Sequence, residues 1–309
     1  MKLKPICFIA SLLLLFSGAS HAASLCQGAG IWLQVLGSGG PEMTDRRASS
    51  GYLIWHNGRA RALVDIGPGS MLRFEQSGAQ VEDLDLILLT HLHVDHSGDL
   101  PGLVKAAFFS ERTRDLPIYG PTGNARMPDT VAFVQALFAT PAGAYRYLGD
   151  FLSGEAAFRL IPTNVSAEIQ SAQALIATSI FKVSAVSVQH GAIPALAWRI
   201  DIAGRAIAFS GDTNGESQNL TQLAQGVDLL VAHNAVSQAA QGVERKLHMP
   251  PSVIGKIAAD AKVKQLVLSH RMRRTLGREA ETRREIRTHY AGQMAFADDG
   301  QCFRIGLRK

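Results

Sequence analysis

"LDLILLTHLHVDHSGDLPG", residues 84–102, sets an apolar, β-prone run directly before three histidines and an aspartate within six residues. Imidazoles and carboxylates crowded this closely repel when charged and cost desolvation when buried. Something must offset that cost, and a metal ion does so directly. Side chains alternate along an extended chain, so a strand ending at Thr90 delivers His91 and His93 to the same side. Asp95 and His96 come after the turn and face a second position. Two nitrogen ligands for one ion and a carboxylate–nitrogen pair for its neighbour suit two metals sharing a site.

The rest of the chain is ordinary in bulk. Its 309 residues are 47% hydrophobic and 18% charged, the composition of a globular protein with a full core. Lys2 and Lys4 precede an apolar run from Ile6 to Phe16, and small residues follow up to Ser20-His21-Ala22. That pattern predicts a secretory signal peptide over 1–22, leaving a single domain over 23–309 in the periplasm or outside the cell. The run falls short of the ~20 residues a membrane span needs, so no anchor is expected after cleavage. Losing Lys2 and Lys4 takes the formal charge from +5 to +3, too mild an excess to imply nucleic-acid binding. Cys7 leaves with the signal, so Cys26 and Cys302 remain as the mature thiols. Two cysteines so far apart cannot make a thiolate zinc site. In an oxidising compartment they are expected to form a disulfide tying the termini.

Strand-length apolar runs recur with helical segments between them. Strands are expected over 31–37, 52–56, 62–67 and 84–90, and again over 181–188, 195–202, 205–211, 228–233 and 265–270. Helices are expected over 69–77, 100–109, 129–139, 220–225, 251–260 and 278–290, and "MAFA" and "CFRIGL" read as short closing strands. The halves look alike, which two facing sheets with helices outside would satisfy. Residues 105–180 are the least regular and are expected to carry substrate-facing elaboration.

"THLHVDH" resembles the His-x-His-x-Asp-His signature of the metallo-β-lactamase superfamily, and further matches follow in order along nearly the whole mature chain. They are His190 in "SVQHG", Asp212 in "FSGDT" and His270 in "LVLSH". The resemblance implies an αββα sandwich of two facing mixed sheets. It also implies His91, His93 and His190 on one ion, Asp95, His96 and His270 on a second, and Asp212 bridging them. Two Zn²⁺ per chain are expected, with iron or manganese also tolerated. A zinc ion lowers the pKa of bound water from ~16 to about 7, on the order of 12 kcal/mol toward hydroxide, so a metal-bridging hydroxide is the expected nucleophile. Asp65 in "LVDIG" holds the position that supports the histidine loop in relatives; a strand-end aspartate capping a turn is the plainer alternative.

"LGSGGP", "RRASSGY" and "LHMPPSVIGKIA" look like the branch that contains ribonuclease Z and the secreted alkaline arylsulfatases, while Asp212 argues against a β-lactamase. In that branch a histidine matching His248 acts on the leaving group as a protonated imidazole, so Asp95 and His248 are the candidate catalytic side chains. Two departures stand out. Asn234 occupies the place of the glutamate that orients this histidine in ribonuclease Z. The RNA-gripping arm that ribonuclease Z inserts before its bridging aspartate has no room between His190 and Asp212, so a transfer-RNA partner is not expected. Arg271, Arg273, Arg274 and Arg278 follow His270 and suit the oxygens of a small anionic ester, with a solvated loop and helix start the plainer reading for any one of them. Phe108, Phe109, Tyr145, Tyr147 and Phe151 could form an aromatic wall, core packing being their plainer role. The expected enzyme is an exported metal-dependent hydrolase of a phosphodiester or aryl sulfate. The alternatives are a lactonase or β-lactamase-like hydrolase, and a metal-binding protein without turnover.

Overall fold

A computed structural model describes residue 26 and residues 28–306; the expected signal segment, 1–22, lies outside the described residues. Successive strands fall into two seven-stranded sheets. The first takes β1 (Ile31–Gly37), β2 (Gly51–His56), β3 (Arg59–Ile66), β4 (Leu86–Leu88), β5 (Leu116–Pro121) and β6 (Leu160–Val165). The second takes β7 (Gln173–Ala177), β8 (Phe181–His190), β9 (Ile193–Ile202), β10 (Arg205–Phe209), β11 (Leu229–His233), β12 (Gln265–Ser269) and β13 (Gln293–Phe296). The last strand, β14 (Cys302–Arg304), returns to the first sheet beside β1, antiparallel, with Leu33 opposite Phe303. Each sheet is antiparallel in one half and parallel in the other: β3 to β6 run parallel, as do β10 to β13. The likeness of the two halves in the sequence is this repeated construction.

Alternation along the strands separates three apolar layers. In β2, Tyr52 and Ile54 face the second sheet's Trp198 and Phe209, while Leu53 and Trp55 face outward. In β10, Ile207 and Phe209 point inward, and Ala206 and Ala208 point out. The outer face of the first sheet is covered by α1 (Ser70–Gln76), α3 (Leu100–Ala107) and α4 (Thr130–Phe138), with the short α2 (Val94–Ser97) and α5 (Asp150–Ser153) beside them. The second sheet is covered by α6 (Asn219–Leu223), α8 (Pro251–Asp260) and α9 (Glu279–Arg287), with α7 (Gly242–Leu247) at the site end. This is the αββα sandwich the resemblance implies. Among the described residues no helix is long and apolar enough to cross a membrane.

Two expectations need correction. The strand before the histidines ends at Leu88, not Thr90, so a loop and not strand alternation carries His91 and His93. Residues 105–180 are also more regular than expected, because they hold β5, β6 and β7. Pro117, Pro121 and Pro162 interrupt the apolar runs of β5 and β6, and β7 is an exposed edge strand, which hides all three from periodicity. Cys26 and Cys302 form the expected disulfide, with Cα atoms 5.6 Å apart and a sequence separation of 276. Closing a loop of that length stabilises by at most about 5 kcal/mol in the chain-entropy picture.

Candidate metal centre

The carboxyl ends of β3, β8, β10, β11 and β12 meet at one edge of the sandwich, and every sequence-predicted ligand stands there. His190 ends β8, Asp212 follows β10 and His270 follows β12. His91, His93, Asp95 and His96 come from the loop and short α2 after β4. Ligand sites outside strand carboxyl ends are the general pattern for sheets with parallel segments. Close approach demands space. A Cβ on Gly40 would lie 2.8 Å from the His270 ring, and one on Gly211 would lie 2.9 Å from Thr90. His270 and Asp65 themselves sit on left-handed backbone, at φ 51° and 55°. Such strain in non-glycine residues concentrates where side chains must be aimed.

The side chains form two groups joined by one oxygen. His93 Nδ1 is 3.0 Å from His91 Nε2 and 3.4 Å from His190 Nε2. Asp95 Oδ2 is 3.2 Å from His270 Nε2 and 3.6 Å from His96 Nε2. Asp212 Oδ2 lies between them, 3.5 Å from His270 Nε2, 3.7 Å from His96 and His190 Nε2, and 4.0 Å from His91 Nε2. Two ligand atoms on a common tetrahedral zinc lie about 3.4 Å apart, so these spacings are those of donors around shared ions.

The hydrogen bonds behind the rings aim the lone pairs. Asp65 accepts from the Thr90 amide at 2.7 Å, the Thr90 hydroxyl at 2.8 Å and His96 Nδ1 at 2.8 Å. His96 Nε2 is thereby turned into the site, where it is buried without a hydrogen-bond partner among the described residues. With its proton given to Asp65, the Thr90 hydroxyl accepts from His91 Nδ1 at 3.1 Å. His190 Nδ1 donates to the Leu247 carbonyl at 3.0 Å. Each bond leaves Nε2 free for a cation, the arrangement that orients metal-binding histidines. Burial alone would lower His96 and His270, but the carboxylates around them raise both; Asp65 leads for His96 and Asp212 for His270. Burial alone would raise Asp95 and Asp212, yet the neighbouring imidazoles hold both carboxyls below their usual range. The carboxylates therefore call for positive charge here, and a divalent ion such as zinc supplies it. Burial lowers His91 and His93, which favours the neutral, ligating form.

One further side chain belongs to this centre and was not anticipated. His233, at the end of β11, donates from Nδ1 to Asp212 Oδ1 at 2.7 Å and accepts from the Tyr52 hydroxyl at 3.0 Å. Burial pushes His233 down to about 4 and Tyr52 upward, so a neutral imidazole and a protonated phenol satisfy both bonds. The signal was available: His233 ends the strand between those that lead to Asp212 and His270.

Around the centre lies a cavity of about 580 Å³ with His248, Leu247, Val243, Met272 and Arg274 on its walls. His248 Nδ1 is 3.8 Å from Asp212 Oδ2. Burial pushes this imidazole down to about 4, which favours its neutral form at neutral pH. Asn234 does not orient it: its side-chain amide is buried with no hydrogen-bond partner among the described residues. Of the four arginines, Arg274 alone lines this cavity, paired with Glu244. Arg271 is buried against Glu279 and the Phe296 ring. Arg278 pairs with Glu281 at the start of α9, and Arg273 is an exposed residue whose backbone amide donates to Glu42. The aromatic wall is absent from the cavity. Phe108, Phe109 and Tyr147 gather around Lys105, and Phe151 packs in the outer core. Phe151 packs on Phe158, over which Arg112 lies; Arg112 donates to the carbonyls of Val81 and Leu84, before β4 begins and so at the far end of the sheet from the histidines.

Comparison with known proteins agrees with this geometry. The ribonuclease Z of Nocardia farcinica (strain IFM 10152) is 29% identical, over 86% of this chain and 95% of its own. The metallo-β-lactamase fold protein YhfI from Bacillus subtilis superposes with a TM-score of 0.69 at 22% identity, covering 88% of this chain and 98% of that one. Human short-form tRNase Z superposes with a TM-score of 0.68 at 21% identity, covering 89% and 100%. The β-lactamase superfamily domain matches residues 60–271, a span holding all seven expected ligands, and the chain belongs to that superfamily as a metal-dependent hydrolase.

Proposed function

We propose that the protein is an exported hydrolase of a small anionic ester, a phosphodiester or an aryl sulfate, working with two zinc ions per chain. The observation that carries this reading is the convergence of five histidine nitrogens, four of them from expected ligands, on Asp212 Oδ2 at 3.5–4.0 Å, beneath a cavity bearing one arginine. His91, His93 and His190 would hold one ion, Asp95, His96 and His270 the other, with Asp212 between. Iron or manganese suits the same nitrogen and carboxylate donors. Bound there, the ions supply Lewis acidity and an acidified water. Arg274 draws the substrate's anionic oxygens toward the centre, and its pairing with Glu244 sets how strongly. Neutral His248 takes the proton released as water attacks and returns it to the departing oxygen, so no net proton is consumed. Asp95, whose Oδ2 lies 3.2 Å from His270 Nε2, would serve as a ligand beside it and stay ionised throughout. Export is supported by the amino-terminal apolar run and by the Cys26–Cys302 disulfide.

The name of the Nocardia farcinica relative favours a second reading, RNA processing. Against it, the 21 residues between His190 and Asp212 are spent on β9, β10 and their turns, which leaves no arm to grip RNA. A panel of zinc-loaded reactions separates the readings: aryl phosphodiesters, aryl sulfates, lactones, a β-lactam and precursor transfer RNA. Turnover of at least one of the first two classes is expected. His248→Ala should then slow esters with poor leaving groups by roughly 10²–10⁴-fold and nitrophenyl esters far less. Equal losses along the leaving-group series would remove His248 from proton transfer, and turnover confined to transfer RNA or lactones would overturn the ester reading.

A further inference from the structure

Beside the first cavity lies a second lobe of about 570 Å³ that shares Pro41 and Asp95 with it. Pro41, Met43, Pro68 and Val94 give it an apolar surface, beside seven polar or charged residues that include the exposed Arg46. Met43 is 87% exposed and Val94 72%, although Val94 stands between His93 and Asp95 in the chain. Large apolar side chains held open to solvent at the edge of a reactive centre mark a surface that another apolar group covers. The lobe's charged members are mostly engaged elsewhere. Arg47 pairs with Asp298, Glu42 accepts from the Arg273 amide, and Asp45 accepts from the Arg47 amide. His248 and Arg274 line the first lobe and not the second.

That asymmetry assigns the lobes. If His248 returns the proton to the departing oxygen, the departing group lies in the first lobe. We infer that the second lobe holds the organic substituent that the ester retains, a flat apolar group such as an aryl ring lying across Met43 and Val94. The substrate is then a diester with two organic arms, not an aryl sulfate, whose single arm leaves the second lobe unfilled. This rests on the hydrolase reading above and narrows its substrate class.

The test changes only the retained arm. 4-Nitrophenyl phenyl phosphate and 4-nitrophenyl methyl phosphate share a leaving group and differ in what stays behind. Covering on the order of 60 Å² of apolar surface corresponds to about tenfold in affinity. The phenyl ester should therefore show a KM about tenfold below the methyl ester, and Met43→Ser should remove most of that gap. Met43 is so exposed that its replacement does not threaten folding. Calorimetric binding of phenylphosphonate against methylphosphonate, neither of which has an ester to cleave, should show the same gap and the same loss in Met43→Ser. Equal binding of the two phosphonates, or a gap that survives in Met43→Ser, overturns the lobe assignment. Failure to cleave either ester while the phosphonate gap persists overturns the hydrolase reading and leaves the lobe standing.

Discussion

Asp212→Asn is expected to reduce turnover by at least ~10⁴-fold while the protein stays folded. The substitution keeps the shape of the side chain, and its carbonyl oxygen can still accept from His233, which now donates at 2.7 Å. What it removes is the charge on Oδ2, a carboxylate oxygen within 4.0 Å of Nε2 atoms from both histidine groups. A neutral amide oxygen would hold the proposed pair of dications poorly, and the assistance such ions would give to water, on the order of 12 kcal/mol, depends on holding them. Steady-state rates on a nitrophenyl ester, with circular dichroism to show an intact fold, check this. A loss under tenfold would mean that Asp212 is not central to the chemistry.

The second large effect is expected at Asp65, which touches no substrate. Asp65→Ala leaves the Thr90 amide, the Thr90 hydroxyl and His96 Nδ1 without their acceptor in a fully buried place. Orphaned buried donors cost about 1–3 kcal/mol each, and a broken buried ionic contact about 3–5 kcal/mol, so a loss of roughly 4 kcal/mol is expected. Thermal unfolding should then fall by about 10 °C. Zinc affinity should drop about 10–100-fold, because His96 loses the bond that aims Nε2. Asp65→Asn should be milder on two grounds. Its carbonyl still accepts, and asparagine tolerates the left-handed backbone at φ 55° that alanine does not. If Asp65→Ala matches the parent in both melting temperature and zinc affinity, Asp65 only caps a turn.

The seven donors could be read from the chain because each falls directly after an apolar strand or in the dense loop after β4, and chemistry at that spacing has few other uses. Strands β8 to β12 were legible as strand-length runs rich in apolar residues, with β8 and β9 alternating apolar and polar positions. The prolines of β5 and β6 concealed strands whose pairing is set by the neighbouring sheet and not by local propensity. Tyr52 was not legible, since a strand tyrosine looks like core until the two sheets bring β2 and β11 face to face, and His233, although it ends a strand as His190 does, finds its partners only in that packing. Arg271 was misread for the opposite reason. Its guanidinium suits an anion, but α9 and the Phe296 ring enclose it, and only tertiary structure brings those elements together. The protonation of His248 likewise depends on burial, which a motif does not carry.

The binuclear centre is tested most directly by counting metal. Purified protein saturated with zinc and freed of excess should carry two ions per chain by elemental analysis, and Asp212→Asn should carry fewer. Saturation at one ion per chain, unchanged in Asp212→Asn, would contradict a shared site built on the Asp212 carboxylate.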